Sequence, residues 1–138
     1  MPGLRGSEDM AKFILQNYKG RIVEVGAGYM TDVVSRLKVQ NPRRDIVATD
    51  LENRDLKGIP VLADDIFSPH REIYEGACLI YSLRPPMEMQ IAMGNLAREI
   101  GADVMVRPLG DEIAELRGFT RTLVNAGESR FYLFKLKP

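Results

Sequence analysis

Hydrophobic positions along this chain alternate between helical and strand spacing. Met10, Phe13, Ile14 and Tyr18 recur on one helical face, behind Ser7 as a candidate N-cap with Glu8 and Asp9 in the first turn, and Gly20 ends the segment. Arg21 to Val25 then predicts a short strand. Thr31 to about Val39 predicts a helix with Val33, Val34 and Leu37 on one face, broken by Asn41-Pro42. Asp45 to Asp50 predicts a second strand, Leu51 to Gly58 a polar loop, and Pro60 to Ala63 a third strand closed by Asp64-Asp65. Ser68-Pro69 has the form of an N-cap followed by proline at the first helical position, which predicts a short helix to about Tyr74.

The second half continues the alternation. Ala77 to Tyr81 is almost wholly apolar, as a strand buried on both faces should be. Pro86 to Ile100 predicts a helix with Met89, Met93, Leu96 and Ile100 along one stripe and Gly101 as its cap. Ala102 to Val106 predicts a fifth strand, and Glu112 to Leu116 a short helical turn. Phe119 to Val124 and Arg130 to Leu136 alternate around Asn125-Ala126-Gly127-Glu128, which is a hairpin signal. Strands alternating with helices predict a three-layer α/β domain built on a mostly parallel sheet, with a C-terminal antiparallel hairpin at one edge. Its ligand crevice should lie at the carboxyl ends of the strands, where the strand order reverses.

Composition narrows the setting. A chain of 138 residues, 45% apolar, fits a single domain spanning 1–138 with its own core. Nineteen basic and nineteen acidic side chains cancel, which argues against a broad nucleic-acid footprint and leaves room for a local basic patch. Cys78 is the single cysteine and has no partner for an internal disulfide, which suits a reducing, cytoplasmic location. No apolar run is long enough for a membrane span, and Met1 to Gly6 lacks the apolar core of a signal peptide. No acid, histidine or cysteine cluster has metal-ligand spacing. His70 reads as exposed, and Cys78 as a small apolar residue inside its strand.

The candidate chemistry begins at Glu24-Val25-Gly26-Ala27-Gly28, a glycine turn between the first strand and the second helix. Gly26 allows a sharp turn, Gly28 lets a ligand approach the backbone, and the following helix N-terminus offers unpaired N–H groups. A dinucleotide fingerprint would place a third glycine at position 31, where Thr31 stands, and an apolar residue at position 24. The acid-containing version resembles motif I of the class I S-adenosylmethionine-dependent methyltransferases, an acid followed by G-x-G-x-G. Glu24, Gly26 and Gly28 match it, while Met30 replaces the last glycine and places bulk in the loop. The resemblance covers about two-thirds of the chain. It implies that Glu24, Gly26, Ala27 and Gly28 line a cofactor site. It further implies that Asp50 takes the ribose hydroxyls and that Asp64 or Asp65 accepts from the adenine amino group. Asp50 would serve NAD equally. The whole chain also resembles a small archaeal family with a methyltransferase-like Rossmann fold and no assigned activity.

The acceptor side has its own pattern. Amino-group methyltransferases carry [DNS]-P-P-aromatic after the fourth strand; here Arg84-Pro85-Pro86-Met87 stands there, with Ser82 two residues before the arginine. Ser82 and Arg84 are the candidates for orienting an acceptor. Arg107-Pro108 repeats the Arg-Pro pair after the fifth strand, so Arg84 and Arg107 are expected to converge on an anion in the same crevice. The expectation is an S-adenosylmethionine-binding protein that transfers a methyl group to an anionic or macromolecular acceptor. Without a substrate-recognition insertion, the remaining walls would come from that acceptor or from a second copy in a homo-oligomer. The alternatives are a nucleotide-binding module without turnover, taking S-adenosylmethionine or NAD, and an interaction scaffold.

Overall fold

The computed structural model describes residues 5–28, 31–56, 59–108 and 110–138. The reading of Met30 therefore lies outside the described residues, as do Met1 to Leu4 and Gly58. The elements in chain order are α1 (Ser7–Asn17), β1 (Arg21–Glu24), α2 (Asp32–Gln40), β2 (Ile46–Asp50), β3 (Arg54–Leu56) and β4 (Ile59–Ala63). They continue with α3 (Arg71–Tyr74), β5 (Ala77–Leu83), α4 (Met87–Ile100), β6 (Asp103–Arg107), β7 (Phe119–Ala126) and β8 (Ser129–Leu136).

The strands form one eight-stranded sheet in the order β3-β4-β2-β1-β5-β6-β8-β7. β4, β2, β1, β5 and β6 are parallel, while β8 runs antiparallel to both β6 and β7. From β1 the chain winds outward through β2 to β4, then returns to β5 on the other flank of β1. The order therefore reverses between β1 and β5.

Strand alternation divides the core into two layers. Ile22, Ile46, Leu79, Tyr81, Met105 and Phe131 face α1 and α2, which bury Met10, Ile14, Val33, Val34 and Leu37 against them. Val23, Ile80, Val104 and Phe134 face the other way, onto α3 and α4, where Tyr74, Met93 and Leu96 pack. The predicted three-layer α/β architecture is thus the one observed, hairpin included.

Some boundaries move for identifiable reasons. Gly6, not Ser7, is the N-cap of α1, and its carbonyl accepts the first helical bond from Met10 N–H. Ser7 is buried, and its hydroxyl accepts from Arg36 Nε of α2 instead. The helix stops before Tyr18, whose hydroxyl leaves to donate to Asp103 Oδ2 at 2.7 Å. α3 starts at Arg71 rather than at Ser68-Pro69, because Ser68 N–H closes a turn onto Asp65 O and the Asp64 carboxylate takes the His70 N–H. The expected polar loop 51–58 contains β3, an edge strand held to β4 by backbone pairing. Glu112 to Leu116 is not helical. The buried Gln90 amide of α4 holds it by donating to Glu112 O and accepting from Ala114 N–H.

Candidate functional site

The glycine turn sits where the strand order reverses, and both neighbours of β1 strap it down. Val25 N–H donates to Tyr81 O of β5 at 2.8 Å, and Ala27 N–H donates to Thr49 O of β2 at 2.9 Å. The Ser82 hydroxyl donates to Val25 O at 2.7 Å, and the Thr49 hydroxyl donates to Glu24 O at 3.1 Å. Between these straps the backbone turns left-handed twice, at Gly26 (φ 68°) and Gly28 (φ 56°), where a side chain is strained. A Cβ on Gly26 would come within 2.8 Å of Met89 Cε, so α4 covers that side of the turn. Among the described residues, its chain neighbours aside, a Cβ on Gly28 would meet no atom within 4 Å, so space opens beside the backbone there. α2 begins just beyond, at Asp32.

Glu24 ends β1 with its side chain buried under the turn. It is 1% exposed, and the hydroxyl of its strand neighbour Tyr81 donates to Oε1 at 2.5 Å. Burial drives the carboxyl up to about 8, Asp32 nearby adds to this, and the Tyr81 bond opposes it. The group is therefore mostly protonated near neutral pH, a state that charge-free burial favours. Burial and Glu24 together hold the Tyr81 hydroxyl far above its ordinary range.

The remaining candidate acids lie at the carboxyl ends of the strands on the β2 side. Asp50 ends β2 and is half-buried. Asp64 follows β4 and is buried by its own partners: it accepts from His70 N–H at 2.8 Å, contacts His70 Nδ1 at 2.9 Å, and accepts from the Tyr74 hydroxyl at 2.5 Å. Burial first, and then Asp64, raise the Tyr74 hydroxyl above its usual value. Asp65 is exposed, and its Oδ1 accepts from Phe67 N–H at 2.9 Å in a local turn. His70 is exposed, as expected, whereas Cys78 is only half-buried, its thiol against Arg21 O at 3.4 Å.

The β5 side is cationic. Arg84 follows β5, Arg107 ends β6, and the Arg84 N–H donates to Arg107 O at 2.7 Å. Both side chains line a cavity of about 400 Å³ together with Arg130 at the start of β8. Burial, and then the neighbouring Arg84 charge, lower the Arg107 guanidinium from its ordinary value. The convergence of Arg84 with Arg107 followed from the repeated Arg-Pro pair. Arg130 was not legible, because the register of an antiparallel return strand brings it there. Ser82, by contrast, lies fully buried beneath the glycine turn. Among the described residues no group of three or more His, Cys, Asp or Glu side chains is placed to hold a metal ion, and no helix is long and apolar enough to cross a membrane.

Comparison with solved structures places this architecture. The pyocyanin biosynthetic protein PhzM superposes with a TM-score of 0.67 at 14% identity, over 94% of this chain and 54% of the PhzM chain, so this chain spans about half its length. The predicted O-methyltransferase Atu636 of Agrobacterium tumefaciens gives 0.63 at 16% identity, over 95% of this chain and 80% of the other. CalO1, a methyltransferase in calicheamicin biosynthesis in its SAH-bound form, gives 0.62 at 14% identity, over 95% and 53%. Likeness at such identities shows the fold alone, which is the Rossmann-like fold of class I S-adenosylmethionine-dependent methyltransferases. Sequence relatives are nearer. A UPF0146 protein of Archaeoglobus fulgidus is 40% identical over 129 residues, covering 91% of this chain and 92% of its own. Another, of Methanothermobacter thermautotrophicus, is 40% identical over 116 residues, covering 81% and 80%. The family model described as "Uncharacterised protein family (UPF0146)" matches residues 7–136, and the chain belongs to that family.

Proposed function

We propose that the crevice above β1, β2 and β4 binds S-adenosylmethionine and that the chain transfers its methyl group to an acceptor held on the β5 side. The observation that carries this reading is the doubly left-handed glycine turn, strapped at the strand-order reversal, with open space beside Gly28. The residues fit the cofactor. The Gly26-Ala27-Gly28 backbone gives a close approach for its amino-acid portion, and Asp50 stands at the neighbouring strand end as a two-oxygen acceptor for ribose hydroxyls. Asp65 suits the adenine amino group better than Asp64. It is exposed and keeps one carboxylate oxygen after serving Phe67 N–H, whereas Asp64 already serves His70 and Tyr74. The exposed Phe67 ring lies close along the chain.

When bound, the cofactor supplies an activated methyl on a sulfonium, so the protein's contribution is alignment. Ser82 holds the turn through Val25 O and so positions the cofactor's cradle. Arg84 stands at the rim of the acceptor side. Glu24, neutral and buried, shapes the floor of the turn without presenting a charge to the ligand. CalO1, which shares the fold, is a methyltransferase in its SAH-bound form, and this supports the same class of ligand here.

Calorimetry with S-adenosylmethionine, S-adenosylhomocysteine and NAD tests the reading. The first two should bind and NAD should not; NAD binding alone would replace it with a dinucleotide site. A second reading, a binding module without turnover, is favoured by one observation: the Ser82 hydroxyl is fully buried and committed to Val25 O, which leaves it unavailable to an acceptor. Cofactor binding without methyl loss across acceptor pools would support the module.

A further inference from the structure

We infer that Arg84, Arg107 and Arg130 form a binding site for a phosphate monoester at the carboxyl ends of β5 and β6. The cavity they line is distinct from the glycine turn, and the inference stands whatever that turn binds.

Three elements bring the arginines together. Leu83 pairs with Arg107 across β5 and β6, so Arg84 emerges beside Arg107. β8 returns antiparallel with Tyr132 opposite Val106, which carries Arg130 just past the end of β6 to the same edge. The resulting hollow of about 400 Å³ lies within the range of small-ligand sites and is far too small for a nucleic-acid duplex. Among the described residues none of the three guanidiniums has an ion pair or a side-chain hydrogen bond, although other arginines, such as Arg21 with Asp45, do. Crowding unpaired like charges is unfavourable, and burial with the Arg84 charge depresses Arg107 accordingly. A bound anion relieves that repulsion.

The backbone points the same way. Arg84 is the one non-glycine residue with positive φ among the described residues, at 61°. A glycine there would be unstrained, yet the position carries an arginine, so the side chain is what the site requires. Charge selects the ligand. Among the described residues the three guanidiniums share the cavity with one carboxylate, Asp111, leaving two positive charges. A phosphate monoester carries close to two negative charges at neutral pH, whereas a carboxylate or a phosphodiester carries one. Tyr132 and Leu123 add an apolar wall against which an organic substituent can lie.

Phenyl phosphate, diphenyl phosphate and benzoate serve as probes, titrated calorimetrically into the full chain. Phenyl phosphate should bind at least about tenfold more tightly than either of the others. The double variant Arg84→Gln/Arg107→Gln, and separately Arg130→Gln, should each weaken phenyl phosphate by about tenfold or more. The variant Arg84→Gly keeps the test independent of folding: it should melt higher than the parent while losing phenyl phosphate affinity. Absence of phenyl phosphate binding to the parent chain, equal binding of benzoate or diphenyl phosphate, or unchanged affinity in the variants would each overturn the assignment.

Discussion

Glu24 carries its proton far above the ordinary carboxylate range, and this has a measurable consequence. Its carboxyl titrates at about 8 in the folded chain against 4.5 as a free group. Between those values the folded state holds a proton that the unfolded state has released. Stability therefore falls as pH rises from about 4.5 to about 8, with a slope of up to about 1.4 kcal/mol per pH unit. Glu24→Gln keeps an acceptor for the Tyr81 hydroxyl and removes the titration. Thermal melts across that window should show the parent losing stability with pH and the variant holding flatter; parallel slopes would show that Glu24 ionises normally. Ser82 makes a complementary case. Ser82→Ala leaves Val25 O without its donor, at a cost of about 1–3 kcal/mol, and should weaken S-adenosylmethionine binding through the turn it holds. Both residues were visible in the sequence by their places at the carboxyl ends of strands. Their roles were not, because the Tyr81 and Val25 contacts depend on the register between β1 and β5.

Most elements could be read from periodicity, since the strands that the helices cover are dense in apolar residues and the α4 stripe is long. What escaped had little apolar content or was held by side chains. β3 pairs through its backbone at the sheet edge, so its three residues carry no hydrophobic pattern. Residues 112–116 offered helical spacing, but Gln90 satisfies their backbone from α4, outcompeting the local bonds a helical turn would form. Ser68-Pro69 looked like a helix start until Asp64 captured the next amide. The Gln90 brace yields its own prediction. Gln90→Leu strands Ala114 N–H and Glu112 O together, and should cost about 2 kcal/mol or more, read as a lowered urea midpoint with unchanged slope. An unchanged midpoint would mean that the 112–116 segment does not depend on α4 for its place.

At the scale of the whole molecule, the sheet puts two chemistries on one edge. The turn after β1 and the arginines Arg84 and Arg107 at the carboxyl ends of β5 and β6 lie within two strands of each other, about 10 Å by strand spacing. That is close enough for a cofactor and an acceptor to meet, yet each site rests on its own straps. Linkage makes this testable without knowing the acceptor. S-adenosylmethionine at about a hundred times its dissociation constant should stabilise the full chain by about 2.7 kcal/mol, a rise of roughly 8–12 °C in Tm for a domain of this size. Gly28→Ala puts a methyl group into the open space at a left-handed position, so it should lower the ligand-free stability by about 1 kcal/mol and abolish the cofactor shift. Arg84→Gln/Arg107→Gln should do the reverse, keeping the cofactor shift while losing that produced by phenyl phosphate. Both variants losing both shifts would mean that the edge holds one continuous site. The division between an acidic cofactor side and a cationic acceptor side would then have to be abandoned.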